Sequence, residues 1–200
     1  MNFRRAFLLP LLLAACAARP AYFVAPGFAP PAEPVALLPF ENETVDLAAE
    51  DYLYKLAAER IAARGYSLIQ GEPVLEGLKG IGITDAGQMA SATPEIIGRA
   101  VGSGLLLYGV VEDFTFQNLG FVVRKSVKLR LKLVSAATGE VLYEGEGTGR
   151  DVKVYLDREE AKKAFVEQMA IKLVQNMLKS PLAKEAERAA ADAVAGLPAR

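Results

Sequence analysis

LLLYGVVEDFTFQNLGFVVRKSVKLRLKLVSAATGEVLYEGEGT, residues 105–148, decides the fold. It holds three runs of strand-forming residues, Leu105 to Phe116, Phe121 to Val134 and Glu140 to Thr148. The breaks between them, Gln117-Asn118-Leu119-Gly120 and Ser135-Ala136-Ala137-Thr138-Gly139, have hairpin length and chemistry. A parallel crossover needs a dozen residues or more, so these three strands run antiparallel. Leu105 to Val111 is apolar on both faces, as a buried central strand requires. In the next strand Arg124, Ser126, Lys128, Arg130 and Lys132 alternate with Val127, Leu129, Leu131 and Leu133, which gives one basic face and one core face.

Upstream the periodicity changes. Val35 to Phe40 is a short apolar run that reads as a buried strand. From Asp46 to Arg64, Ala49, Leu53, Leu56, Ala57 and Ile61 share one helical face, and Gly65 supplies the stop. Tyr66 to Ile69 reads as a second short strand. Residues 71–91 are glycine-rich, with short helical turns at Leu75 to Leu78 and Thr84 to Ala90. Thr93 and Pro94 then open a helix that buries Ile96, Ile97, Ala100 and Val101 and ends at Gly102. Downstream, Asp157 and Glu160 form a capping-box-like start to a helix with Ala161, Phe165, Met169, Val174, Met177 and Leu178 facing inward. The order β-α-β-α-β-β-β-α predicts the α/β class, a mixed sheet with helices packed against it. Residues 35–180 are expected to form a single domain, and residues 181–200 an alanine-rich charged tail, able to form a helix but loosely held.

The N-terminus reads as an export signal. Arg4 and Arg5 precede an apolar stretch, Phe7 to Leu13, which is too short to span a bilayer and is interrupted by Pro10. Leu13-Ala14-Ala15-Cys16 matches the lipobox of bacterial lipoprotein precursors, so residues 1–15 are expected to be removed and Cys16 to carry lipid. Cys16 is the only cysteine, which excludes an intramolecular disulfide. Ala17 is not the aspartate that retains such proteins in the inner membrane, so outer-membrane sorting, on the periplasmic face, is expected. Residues 16–34 form the lipidated cysteine and an Ala/Pro-rich linker, which could hold the domain up to ~55 Å from the lipid at about 3.1 Å per residue. Without Arg4 and Arg5 the chain has 21 basic and 24 acidic residues, a net charge of −3. That balance gives no nucleic-acid footprint.

There is no histidine, which removes Ser-His-Asp and Cys-His catalysis and every histidine-containing zinc site. No metal site, cofactor or catalytic residue is expected. Glu112 and Asp113 are neighbours on a strand and should point to opposite faces. Glu144 and Glu146 share a face about 7 Å apart, a spacing open to an inverting glycosidase but more simply a solvated strand face. Gly145-Glu146-Gly147-Thr148-Gly149-Arg150 superficially suggests a phosphate loop, yet no Walker lysine follows it and no helix opens there; glycine at a strand end is the simpler account. Arg124, Lys128, Arg130 and Lys132 form a candidate ridge, up to ~27 Å long, for an anionic partner, or an ordinary solvated face whose lysines discourage edge pairing.

The lipobox, the opening Val35-Ala36-Leu37-Leu38-Pro39-Phe40 with Glu41-Asn42-Glu43-Thr44, Gly82-Ile83-Thr84-Asp85-Ala86-Gly87-Gln88, Leu105-Leu106-Leu107-Tyr108-Gly109-Val110-Val111 and Thr138-Gly139-Glu140-Val141-Leu142 together resemble a family of bacterial lipoproteins of unknown function. Its envelope domain is similar to the curli-secretion lipoprotein and to the N-terminal domain of TolB. The resemblance covers residues 35 to about 150. It implies a TolB N-terminal-like fold, an envelope location, and Asn42 and Thr44 ending the first strand. The expected function is a non-enzymatic binding or assembly module of an envelope secretion or transport complex, anchored in the membrane through Cys16 and working with envelope proteins, possibly another lipoprotein. The alternatives are a homo-oligomeric secretion-pore or scaffold subunit and a carboxylate-dependent envelope hydrolase.

Overall fold

In the computed structural model, residues 21–174 and 181–200 are described. The expected signal peptide, Cys16 and the inward positions Met177 and Leu178 lie outside these described residues. The strands are β1 (Tyr22–Val24), β2 (Val35–Leu37), β3 (Glu41–Asn42), β4 (Leu68–Ile69), β5 (Leu105–Asn118), β6 (Val122–Ser135) and β7 (Val141–Val154). The helices are α1 (Ala49–Ala62), α2 (Glu72–Gly80), α3 (Pro94–Val101), α4 (Arg158–Val174) and α5 (Ala183–Ala193), with a 3-10 helix over Ala86–Ser91. The sheet runs β1-β7-β6-β5-β2-β4, and β3 also pairs with β5.

The mixed sheet takes its two characters from the two halves of the chain. β2 lies parallel to both β4 and β5, while β5, β6 and β7 form an antiparallel ribbon of three 14-residue strands. At the first hairpin Leu119 N–H donates to the Val122 carbonyl at 2.7 Å; at the second Ser135 N–H donates to the Glu140 carbonyl at 3.0 Å. Val35, Leu37, Leu107, Leu129, Leu131 and Leu133 face α1 and α5, and Ala36, Leu38 and Leu106 face α2, α3 and the 3-10 helix. Thr93 caps α3 by accepting from Ile96 N–H at 3.4 Å, and Gly102 ends it in the left-handed region.

Three differences from the sequence reading have physical causes. First, Tyr22-Phe23-Val24, inside the expected linker, forms β1 against β7, and Ala25 and Phe28 pack beneath it. Aromatic and β-branched residues favour a pleated edge, a local preference that the surrounding prolines conceal. Second, a bulge between Val111 and Asp113 sets Glu112 and Asp113 together opposite Lys128, so both carboxylates lie on the basic face instead of on opposite faces.

Third, β7 does not end at its glycines. Gly145, Gly147 and Gly149 lie in mid-strand on the core face, and α5 rests on them: a Cβ on Gly147 would sit 1.8 Å from the Ala189 carbonyl oxygen. Ala186, Ala189, Ala190 and Ala193 are the helix's contact stripe and are fully buried. Residues 183–193 thus belong to the main core, in contrast to a loosely held tail. The Tyr143 hydroxyl donates to the Ala193 carbonyl at 2.7 Å inside this contact, and Arg200 N–H donates to the Arg64 carbonyl at 2.9 Å.

Candidate functional site

The chain leaves β2 through α1 to reach β4 on one side, then returns through α2 and α3 to β5 on the other. β2 is therefore a switch point, where the loops leaving adjacent parallel strands part to opposite faces. Such a crevice, at the carboxyl ends of the strands, is where open α/β sheets bind ligands. Here it is a half-open cleft of 590 Å³. Pro39 and Phe40 follow β2, Gln70 and Gly71 follow β4, and α1 and α2 form the two walls.

Its floor is apolar. Val74, Leu78, Ile83 and Met89 are buried, and Leu75 is exposed at the edge. The Phe40 ring meets Tyr54 edge-on at 5.3 Å between centroids, and the Tyr54 hydroxyl donates to the Leu37 carbonyl at 3.2 Å. Burial raises the Tyr54 pKa, so this phenol stays a hydrogen-bonding group and not a base. The rim is charged. Glu50, Asp51 and Asp85 stand there with Lys55 and Lys79. Partial burial raises the Glu50 pKa, with Asp51 and then Asp85 adding like-charge repulsion. The Thr84–Gln88 rim is held by its own side chains: Gln88 Oε1 accepts from Thr84 N–H at 2.9 Å and Asp85 Oδ1 from Gly87 N–H at 2.8 Å.

The ridge inferred from charge is on one face as expected, but it does not present one sign. Lys128 Nζ lies 2.7 Å from Glu112 and 3.0 Å from Glu146, so one lysine bridges β5 and β7. The hydrogen bond to Glu112, then the one to Glu146, raises the Lys128 pKa. Arg130 pairs with Glu112, and Arg124 lies 3.8 Å from Asp113. Lys132 Nζ sits over the Tyr108 ring at 5.6 Å, opposite Glu144 in the β6–β7 register. Arg130 and Lys132 also border a second cavity, of 390 Å³, with Tyr108, Glu41 and Glu144. The ladder holds the ribbon together: Lys128 joins carboxylates of β5 and β7, and Arg124 and Arg130 pair with carboxylates of β5.

The sequence reading did not find the cleft. Glu50, Asp51 and Lys55 occupy the polar face of α1 and read there as solvated charge. The usable signal was topological: a β-α-β-α-β order in which both neighbours of the first core strand are parallel to it makes that strand a switch point. Among the described residues no cluster of acidic or sulfur side chains could hold a metal ion, and no helix is long and apolar enough to cross a membrane.

Comparison with known proteins adds identity to this geometry. The family model described as "Putative lipoprotein GNA1162-like" matches residues 29–196. Lipoprotein GNA1162 from Neisseria meningitidis superposes with a TM-score of 0.55 at 21% identity, covering 69% of this chain and 98% of that one. The PelC dodecamer from Paraburkholderia phytofirmans gives 0.56 at 16% identity, covering 90% and 98%. No curated protein matches the chain in sequence.

Proposed function

The chain belongs to the GNA1162-like lipoprotein family, and from that premise we propose that it is an outer-membrane lipoprotein, anchored through Cys16, that serves as a non-enzymatic assembly module of an envelope secretion or transport complex. The cleft at the switch point carries this reading. Its apolar floor and its rim of both signs suit a protein segment, which needs apolar anchors and polar register contacts. The rim's carboxylates stand beside lysines, with no hydroxyl or thiol nucleophile held against a base.

In-cell photo-crosslinking from position 84, followed by mass spectrometry, tests it. The expected result is a small reproducible set of envelope proteins, lost on Leu75→Arg, a change at the cleft's exposed edge whose folding circular dichroism checks. Capture that Leu75→Arg does not alter would remove the cleft from the function.

A second reading, a homo-oligomeric scaffold or pore subunit, is favoured by one observation: PelC, which shares the fold, crystallised as a dodecamer. Light scattering of the lipidated protein in detergent separates the two, since a ring gives one large species without any partner. A hydrolase working through Glu144 and Glu146 ranks third, because Glu146 is already held by Lys128.

A further inference from the structure

Beyond β1, β2 and β4 the β5–β7 ribbon continues with α4 packed along it: Phe165 stacks on Phe116 at 5.2 Å between centroids, and Asn118 donates to the Ala161 carbonyl at 3.5 Å. β2 and β4 span three and two residues, and β1 accompanies β7 only as far as Gly145. The extension ends in the β5–β6 turn and the last residues of β7, which Tyr155 N–H ties to the turn by donating to the Phe121 carbonyl at 2.7 Å. Here the large apolar side chains face outward: Leu119 is 63% exposed, Phe121 51%, Val152 57%, Val154 70% and Leu156 100%. Five exposed residues of this kind gathered at one end of the ribbon mark a contact surface. The charge around them is also unlike the rest of the chain. Residues 117–126 and 150–158 contain five basic residues (Arg124, Lys125, Arg150, Lys153, Arg158) against two acidic ones (Asp151, Asp157), with Asp113 beside Arg124 and with Glu159 and Glu160 next in α4.

The direction of β1 says what that surface meets. β1 runs antiparallel to β7, with Val24 opposite Tyr143 and Tyr22 opposite Gly145, and Glu146 N–H donates to the Ala21 carbonyl at 2.9 Å. Followed backwards, the chain therefore heads along β7 towards the tip. Cys16 is five residues before Ala21, a leash of at most about 17 Å. From Glu146 to Val154 the strand itself covers about 26 Å in the same direction. An anchor within about 17 Å of Ala21, which lies beside Glu146, puts the bilayer surface within reach of the tip.

We propose that the tip formed by Leu119, Phe121, Val152, Val154 and Leu156 inserts into the headgroup region of the same phospholipid bilayer that holds the acyl chains of Cys16, fixing the domain's orientation on the membrane. The inference rests on the anchor at Cys16. Outward apolar side chains interleaved with lysine and arginine are the composition of interfacial membrane contacts, whose apolar groups sit about 5–10 Å deep. The basic excess suits anionic phospholipid headgroups.

The chain contains no tryptophan, so a single introduced indole reports without background. Lipidated Phe121→Trp protein, and Ala137→Trp protein with the indole in the β6–β7 turn at the other end of the ribbon, are reconstituted into vesicles of phosphatidylethanolamine and phosphatidylglycerol carrying brominated acyl chains. The expected result is loss of emission and a blue shift for Phe121→Trp, and neither for Ala137→Trp. Equal behaviour at the two positions overturns the proposal, whether the tip then covers a protein or nothing. Intact mass decides the anchor separately. If the acyl mass is present and the indole at 121 is unquenched, only the tip proposal fails. If the acyl mass is absent, the anchor reading fails, and the tip is judged by the same quenching with the Cys16→Ala protein at high vesicle concentration: quenching supports it and its absence overturns it.

Discussion

Gly147→Ala is the most direct test of how the C-terminal helix is held. The added Cβ would lie 1.8 Å from the Ala189 carbonyl oxygen and 2.5 Å from the Ala193 nitrogen, both of them backbone atoms that no rotamer change can move aside. Restoring ordinary contact requires α5 to rise by about 1.5 Å, and a gap of even 0.5–1 Å forfeits a quarter to a half of each dispersion contact along its alanine stripe. Overpacking costs roughly 1–3 kcal/mol, and this site falls at the upper end. The lower entropy of the unfolded chain returns about 0.4–1 kcal/mol. The net loss is about 2–3 kcal/mol, or a fall in Tm of about 5–10 °C for a chain of this size. Gly80→Ala is the matched control: Gly80 ends α2 with no atom within 4 Å of its would-be Cβ. There the same change should be neutral or stabilising by about 0.5 kcal/mol, since alanine is the better helix former. Urea unfolding of both variants, with limited proteolysis reading early release of the C-terminus in Gly147→Ala, checks the pair. Wild-type stability for Gly147→Ala would refute the close seating of α5.

Other outcomes follow from single contacts. Burial, the largest influence, pushes the Tyr143 pKa up to about 12, above its ordinary value of 10. The phenol therefore stays protonated in the folded state after it ionises in the unfolded one, and the stability it confers, intact below pH 10, is lost as pH rises towards 12. Between pH 9 and 11 the loss is about 1.4 kcal/mol, and Tyr143→Phe should flatten that slope in urea titrations while lowering stability near neutrality by about 1 kcal/mol through the lost hydrogen bond. Lys128→Met leaves the largely buried Glu112 with Arg130 alone and Glu146 without its lysine; chemical denaturation should show a loss of about 1–3 kcal/mol. Ser103→Ala removes a buried hydroxyl that bonds the Pro34 and Leu105 carbonyls at 3.0 and 2.8 Å, and thermal unfolding should show a loss of about 1–3 kcal/mol. Arg130→Gln with Lys132→Gln tests the ridge for an anionic partner without the three-carboxylate crowding that charge reversal at Lys128 would create.

Much of this fold was legible because its signals are local. Alternation from Arg124 to Leu133, the short hairpin breaks and Thr93-Pro94 with Gly102 each fix a strand, a turn or a cap from a few adjacent residues. What escaped depends on distant partners. The bulge at Glu112 exists because β6 offers one residue where β5 offers two. The glycines of β7 make sense only against the alanines of α5, some forty residues later; each stripe alone reads as a loop signal or a weak helix. The cleft is further still from local reading, since its charges lie on helices that meet only after β2, β4 and β5 have paired.

The pairing of β1 with β7 joins residues more than a hundred positions apart, and the glycine seat for α5 is filled by almost the last segment of the chain. The first strand must wait for about three-quarters of the polypeptide before it can pair. Contacts of such long sequence separation are slow to form because loop closure precedes their reward. A chain that emerges from its N-terminus first thus passes through a stage in which the future edge strand and the exposed glycine stripe are both unpaired. Proteolysis during that stage would remove α5 before it docked on the β7 glycines.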